Sequence, residues 1–225
     1  MKTQRETTQT EPLLSRRLST EQCQAASRLL AHAFMPNEFC RYLEPDEAQR
    51  FAKIKFLFAG MTAVANRYGS VLTHGSPLQG TTVWFPPGTY PLTSWQMLRA
   101  GLLQCPFTMG IRTTQRLLQL AAFTEAVHAQ LMHGRPYWYL LFAGVDPRQQ
   151  DQGIGTALVA KMHAYLDAEG QPALLEANSE ELVGYWERFG YAVELETAAP
   201  GGGVPYWFMV RRPDGAREMT TPPTA

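Results

Sequence analysis

The sequence predicts an α/β protein. Apolar runs of strand length alternate with longer segments whose apolar residues recur at helical spacing, and the clearest strand ends at Val145. The 225 residues are 45% hydrophobic and 18% charged, which suits one globular domain with a substantial core. No internal repeat or linker-like composition shift interrupts the pattern. These observations predict a single domain.

The N-terminal part is predicted to contain a short strand, two helices and a strand pair. Residues 1–11 are rich in Thr and Gln without apolar periodicity, so we expect a disordered tail and place the domain at 12–213. Ser19 with Gln22, and Asp46 with Gln49, have capping-box spacing, and an apolar stripe at helical spacing follows each pair. The expected strands are Leu13–Leu18, Ser70–Thr73 and Thr81–Phe85.

The C-terminal half is predicted to alternate strands and helices after a helical stretch over 89–133. Ser179 is a suitable N-cap and Gly190 a suitable stop for one of these helices. The expected elements are strand Tyr137–Val145, helix Ile154–Glu169, strand Ala173–Ala177, helix Glu180–Phe189, strand Tyr191–Glu196 and strand Val204–Val210. Residues 200–203 are predicted to be a mobile loop, and residues 214–225 a disordered tail.

The turn between the central strand and the next helix has the chemistry of an anion site. The first turn of a helix leaves backbone N–H groups unpaired, and Gly153 and Gly155 would let a phosphate approach them closely. No Lys-Ser/Thr pair follows the glycines, which excludes a Walker loop, and Leu158 replaces the third glycine of a dinucleotide fingerprint. By itself the turn is also compatible with an ordinary helix start.

Several motifs together resemble those of the GNAT N-acetyltransferase superfamily. The turn Gln150-x-x-Gly153-x-Gly155 resembles the acetyl-CoA loop of that family. Leu175–Asn178 and Tyr185–Tyr191 resemble its fifth strand and the following helix, and they occur in the family's order. Val83–Gly88 and Tyr206–Pro213 resemble strands of the subgroup that includes puromycin N-acetyltransferase. The resemblance implies a GNAT fold, in which a mixed central sheet of about seven strands is splayed at the acetyl-CoA site and carries helices on both faces. It also implies a helical insert between strands 3 and 4.

The resemblance also implies where acetyl-CoA binds. Its pantetheine arm would pair with the free backbone of the central strand at Phe142, Ala143 and Val145. Asp151 belongs to the loop that would contact the pyrophosphate, and its carboxylate would repel that group unless it points to solvent. The whole predicted loop contact is Gln150, Asp151, Gln152, Gly153, Gly155 and Thr156.

The predicted catalytic residues are Glu176, Trp186 and Tyr185. Glu176 ends the fifth strand and is a candidate base or amine-binding carboxylate; the alternative is a strand-end residue bonded to backbone. The family usually has a proton-donating Tyr where this chain has Trp186, and an indole is not a practical proton donor. Tyr185 is the nearest substitute, about 100° around the helix, so it would need a shift to serve.

Two further side chains are assigned to the acceptor. The resemblance matches His133 with a histidine before the central strand, and Tyr139 shares a strand face with Tyr137. For each, a purely structural role is the alternative. The insert over 89–133 has two interpretations, namely added core or a wall of the acceptor pocket.

Charge and cysteine usage limit the partners. The formal net charge is zero, which removes the electrostatic reason to expect nucleic acid or an anionic membrane. Three scattered cysteines and an N-terminus without an apolar signal core favour the cytoplasm. We expect no metal, since no Cys or His pair has zinc spacing; His128 and His133 are five residues apart.

The predicted function is transfer of an acetyl group from acetyl-CoA to a primary amine of a small molecule, by a monomer or homodimer. Two alternatives stay open. A non-catalytic acyl-CoA-binding module is favoured by Trp186 and by Leu182, which replaces an asparagine common in the family. A protein or peptide N-acetyltransferase is the other, although the neutral charge and the long insert argue against an open peptide groove.

Overall fold

Six strands form one mixed sheet in a computed structural model, which describes residues 17–201 and 203–213. The strands are β1 (Ser70–His74), β2 (Gly80–Phe85), β3 (Trp138–Val145), β4 (Ala173–Ala177), β5 (Tyr191–Ala198) and β6 (Pro205–Arg211). Their spatial order is β1-β2-β3-β4-β6-β5, and within the described ranges only β3 and β4 pair in parallel. The predicted mixed sheet is confirmed. The expected strand Leu13–Leu18 falls mostly outside the described residues, as do the predicted tails, and Leu18 is not in a strand.

Helices cover both faces of this sheet. They are α1 (Thr20–Phe34), α2 (Glu38–Leu43), α3 (Glu47–Tyr68), α4 (Ser94–Arg99), α5 (Cys105–Thr108), α6 (Ile111–Met132), α7 (Ile154–Ala168) and α8 (Glu180–Glu187), with short 3₁₀ turns at Leu102–Gln104 and Pro147–Gln149. One apolar cluster packs α1 and α3 against the face that carries Phe85 and Tyr139. A second packs α7 and α8 against the opposite face, which carries Trp84 and Leu140. No helix in the described ranges combines the length and apolarity needed to cross a bilayer.

The predicted parting of two parallel strands is visible between β3 and β4. The two strands pair only at Trp138–Ala173 and Tyr139–Leu174. Beyond Tyr139, β3 stays bonded to β2 as far as Val145, and β4 stays bonded to β6 as far as Ala177. The facing edges of β3 and β4 therefore separate into a wedge. Backbone groups along such an edge need another hydrogen-bond partner.

The two capping boxes predicted for the N-terminal helices differ in the structure. Ser19 and Gln22 form a full capping box at the start of α1. Asp46 caps α3 through the N–H of Ala48, and the Gln49 amide donates to the Asp46 carboxylate. The expected return bond to the Asp46 N–H is absent because Glu44 already accepts from that group at 3.0 Å.

The insert over 89–133 is helical, as expected, and part of it is core. Leu120 and Val127 of α6 pack against Tyr206 and Phe208 of β6. The short helix α2, which the sequence did not predict, is capped by Asn37 and packs against the same cluster through Tyr42. Helices α2 and α6 therefore cover the outer strands on the face opposite to α7 and α8.

His163, buried on α7, makes stability depend on pH. Burial, with a smaller effect of Arg211, lowers the pKa of His163 to about 4. As the pH falls, the unfolded chain therefore takes up this proton first, near the ordinary histidine pKa of 6.5. The contribution of His163 to stability is complete above that pH and is lost as the pH falls toward 4, at up to about 1.4 kcal/mol per pH unit.

We expect His163→Gln to lose less stability than the parent between pH 7 and pH 5, by about 1–2 kcal/mol. Urea unfolding of both proteins at the two pH values measures this difference. The parent and the variant share all other titrating groups, so a difference between their pH dependences is due to His163. Equal losses in the two proteins would contradict the depressed pKa.

Candidate functional site

A buried carboxylate lies beside the wedge between β3 and β4. The Glu176 side chain, near the end of β4, is only 9% exposed. Its Oε1 lies 2.7 Å from Nε2 of His128, and its Oε2 accepts a hydrogen bond from the Tyr139 hydroxyl at 2.9 Å. Each carboxylate oxygen has two lone-pair sites, so both can accept a further hydrogen bond from an incoming donor.

His128 connects this carboxylate to helix α6. Its ring is 2% exposed, and its Nδ1 lies 3.0 Å from the Tyr137 hydroxyl. A neutral imidazole satisfies every group here if the tautomer with hydrogen on Nε2 is assigned: Nε2–H donates to Glu176, and Nδ1 accepts from Tyr137. His128, Tyr137, Tyr90 and Glu125 also line a recess of about 430 Å³ beside the first residues of β3.

The tyrosines around Glu176 remain protonated hydrogen-bond donors. Burial first, then the Glu176 charge, raises the pKa of Tyr139 well above its ordinary value. The same two causes raise the pKa of Tyr137 to about 12, with Glu125 contributing. Burial also raises the pKa of Tyr206, whose hydroxyl hydrogen-bonds with Asn178. The cluster therefore presents one anionic group among neutral hydroxyls.

The structure brings Glu176 and Tyr139 together but leaves His133 out. His133 is the exposed C-cap of α6, with a left-handed backbone at φ 49°. His128 lies five residues earlier, about 140° around the helix, and faces the sheet. A sequence signal for His128 existed, since it falls among the buried positions Thr124 and Val127 of one helix face. A histidine on such a face needs a polar partner, and here the partner is Glu176.

The turn predicted to hold pyrophosphate opens α7. Gly153 is the N-cap residue with φ 75°, and the first intrahelical bond joins Ala157 N–H to the Gly153 carbonyl at 2.9 Å. Helix geometry leaves the N–H groups of Gly155 and Thr156 without intrahelical acceptors. Phe142, Ala143 and Val145 lie on β3 where it parts from β4. The strand edge and the helix start thus form one continuous surface of backbone donors and acceptors.

Helix α8 turns Tyr185, rather than Trp186, toward this loop. The Tyr185 hydroxyl hydrogen-bonds with Thr156, and a Cβ on Gly155 would lie 3.0 Å from it. Trp186 is 7% exposed and packs in the second apolar cluster against Phe189 and Tyr191. The larger apolar surface of the indole selects the core side of the helix, which leaves Tyr185 facing the loop. Tyr185 therefore lies beside the start of α7.

Asp151 lies in the loop with an exposed side chain and a left-handed backbone, φ 62°. Asparagine tolerates that conformation as well as aspartate does. We therefore expect Asp151→Asn to tighten CoA binding about two- to fivefold at low ionic strength, because it removes a negative charge near the predicted pyrophosphate position.

Isothermal titration calorimetry with CoA tests this expectation. Glu169→Gln, at the opposite end of α7, is a matched control that removes one carboxylate and should leave the affinity unchanged. Weaker binding by Asp151→Asn would show that the carboxylate contributes a favourable contact.

The chain is similar in sequence to known acetyltransferases. The model of the acetyltransferase (GNAT) family matches residues 85–191. An uncharacterized N-acetyltransferase of Schizosaccharomyces pombe is 22% identical over 208 residues, covering 90% of this chain and 84% of the relative.

Two solved structures share the fold. The histone acetyltransferase HPA2 and related acetyltransferase of Corynebacterium glutamicum superposes with a TM-score of 0.61 at 17% identity, over 94% of this chain and 98% of that one. A polyamine N-acetyltransferase of Drosophila melanogaster gives 0.58 at 14% identity, over 88% and 98%.

Proposed function

Because the acetyltransferase (GNAT) family model matches residues 85–191 and an N-acetyltransferase is similar over 208 residues, we propose that this chain is an acetyl-CoA-dependent N-acetyltransferase whose acceptor is a primary amine of a small molecule. The observation that carries the proposal is the single buried carboxylate at the wedge, Glu176. A carboxylate in low-dielectric surroundings attracts an ammonium group strongly. Its spare lone pairs leave room for that donor.

The residues divide the work of acetyl transfer as follows. Glu176 binds the ammonium form of the acceptor and takes up a proton from it, so that the neutral amine can attack the thioester. Tyr139 and His128 fix the carboxylate by donating to its two oxygens. Tyr185, kept protonated because burial raises its pKa, supplies a proton to the departing thiolate, and the second proton lost by the amine nitrogen returns Tyr185 to its neutral form.

The cosubstrate is held by backbone groups. Acetyl-CoA supplies the activated acetyl group, its pantetheine arm pairs with β3 at Phe142, Ala143 and Val145, and its pyrophosphate accepts from the N–H groups at the start of α7. The assigned loop residues are Gln150, Asp151, Gln152, Gly153, Gly155 and Thr156. Because the contacts come from backbone, the loop needs no basic side chain.

Two hydrogen bonds from the α1–α2 turn and α2 support the proposal of a small substrate. The Asn37 amide donates to Asn178 Oδ1 at 3.0 Å, and the Tyr42 hydroxyl donates to the Pro200 carbonyl at 2.9 Å. These bonds join the α1–α2 turn and α2 to the residues that follow β4 and β5. A peptide would have to break them to lie across the wedge. The polyamine acetyltransferase of Drosophila melanogaster, which forms N-acetylagmatine, offers a precedent for a small amine.

Two finer assignments belong to the same proposal. The motifs at Val83–Gly88 and Tyr206–Pro213 support the proposal that the chain is similar to the puromycin N-acetyltransferase-like subgroup. The three cysteines, none of them in a disulfide, favour the cytoplasm as its compartment.

An amine panel tests the proposal. We expect free thiol to form from acetyl-CoA with alkyl, polyamine or arylalkyl amines, and not with short peptides offering an N-terminus or a lysine. Gly155→Asp should abolish CoA binding, since its side chain would meet the Tyr185 hydroxyl and place a charge at the pyrophosphate position. Turnover confined to peptides, or none with any amine, would contradict the proposal.

A further inference from the structure

The insert exposes an apolar surface that the reaction does not use. Phe107 is 90% exposed, Ile111 68% and Trp95 59%. Leu98, Leu103 and Leu118 are also exposed. Among the described residues, Val193 is the only exposed large hydrophobic side chain outside the insert. We call Trp95, Leu98, Leu103, Phe107 and Ile111 the insert apolar face. Exposed apolar side chains gathered in one segment mark an interaction site more often than scattered ones do.

The insert apolar face results from a regular pattern. Leu102, Cys105 and Met109 are buried in the main core, and Leu102 contacts Gly60 of α3. The exposed residues Leu103, Phe107 and Ile111 alternate along the sequence with these buried ones. The segment is thus anchored on α3 by one apolar set and presents a second one outward. Packing within the monomer does not account for the second set.

The charged side chains of the insert up to Thr124, and of the sequence just before it, are basic. Between Ala48 and Thr124 the sequence has no Asp or Glu and seven basic residues: Arg50, Lys53, Lys55, Arg67, Arg99, Arg112 and Arg116. The Arg99 guanidinium lies over the Trp95 ring at 5.1 Å, and exposed Arg112 follows Ile111. Two acidic residues line the same recess as Ile111, namely Glu44, which pairs with Lys53, and Asp46, which caps α3. The neutral total charge conceals this separation.

We propose that the insert apolar face docks on an anionic lipid bilayer surface. Tryptophan, phenylalanine and leucine beside arginine are the side chains that enter the headgroup region, where aromatic rings are buried and guanidinium groups meet lipid phosphates. Docking of this kind is peripheral and needs no spanning helix.

Two other occupants fit less well. A second copy would bring together two surfaces that each carry Arg99 and Arg112, and like charges repel. The chain's own terminal segments are poor matches, since residues 1–16 have more basic than acidic residues and residues 214–225 have Met219 as their one large apolar residue. An anionic surface satisfies both the apolar and the basic groups.

Vesicle sedimentation with the full chain tests this surface. We expect cosedimentation with phosphatidylserine-containing vesicles at low salt, weak binding to pure phosphatidylcholine, and release at high salt. The double variant Trp95→Ser/Phe107→Ser should lower the partition coefficient at least about tenfold. Val193→Ser, which removes an exposed apolar side chain from β5, is the matched control and should bind like the parent.

Thermal unfolding and thiol release with soluble amines confirm that the variants fold and react normally. Four outcomes would overturn the proposal: no vesicle binding at low salt, equal binding by the double variant, a protein dimer that the double variant dissolves, or retention by polyglutamate without vesicle binding.

Discussion

We expect Glu176→Gln to lower kcat/KM for the amine by about a hundredfold or more, the range typical of the loss of a general base. Glutamine matches the shape of glutamate and keeps one oxygen that can accept from Tyr139 or His128. The variant therefore retains the fold, loses the negative charge that binds the ammonium group, and cannot take up its proton. CoA affinity stays within about threefold, because the backbone groups at the loop are untouched.

Steady-state kinetics with the best amine of the panel, together with CoA titration, measure this split. Glu125→Gln is the matched control, since it removes the same charge from an exposed position one turn before His128 on α6 and does not touch Glu176. Its kcat/KM should change less than about threefold. If the Glu176→Gln enzyme kept nearly the parental kcat/KM, the Glu176 carboxylate would have no role in the reaction.

The parts of the site that the sequence predicted are local in the chain. Three features were recognised in this way: the turn before α7, the apolar run of β3 and the capping box of Ser19. Each depends on residues that are close in the sequence, so its pattern can be recognised from the sequence alone. Glu176 could be placed at a strand end for the same reason. The parting of β3 from β4 came from the family resemblance, since no local signal encodes where two strands stop pairing.

The parts that the sequence did not predict depend on distant partners. His128 and Glu176 are 48 residues apart, and only the packing of α6 on the sheet brings them to 2.7 Å. Tyr185 and Trp186 are neighbours, so motif alignment cannot decide which of them faces the loop. The outcome depends on how much apolar surface α8 buries against β5 and α7, which is a property of the assembled core.

The second large effect concerns Tyr185. We expect Tyr185→Phe to lower kcat at least about tenfold when thiolate departure limits the rate, since general acids contribute roughly a hundredfold to ten-thousandfold. The phenyl ring keeps its contact beneath Arg188, whose guanidinium lies 5.0 Å from the Tyr185 ring centre. Only the hydroxyl and its bond to Thr156 are removed, so the free energy of unfolding should fall by no more than about 1 kcal/mol.

Trp186→Phe gives the opposite pattern and serves as the control for Tyr185→Phe. The smaller ring leaves part of a core position empty, which should cost about 1–3 kcal/mol of stability, while kcat stays within about threefold. We would measure kcat and the free energy of unfolding in urea for both variants. A loss of kcat identifies Tyr185 as the proton donor, and a loss of stability identifies Trp186 as a packing residue. If Trp186→Phe remains folded but loses a hundredfold in kcat while Tyr185→Phe stays active, the indole orients the thioester, and Tyr185 has only a supporting role at the loop.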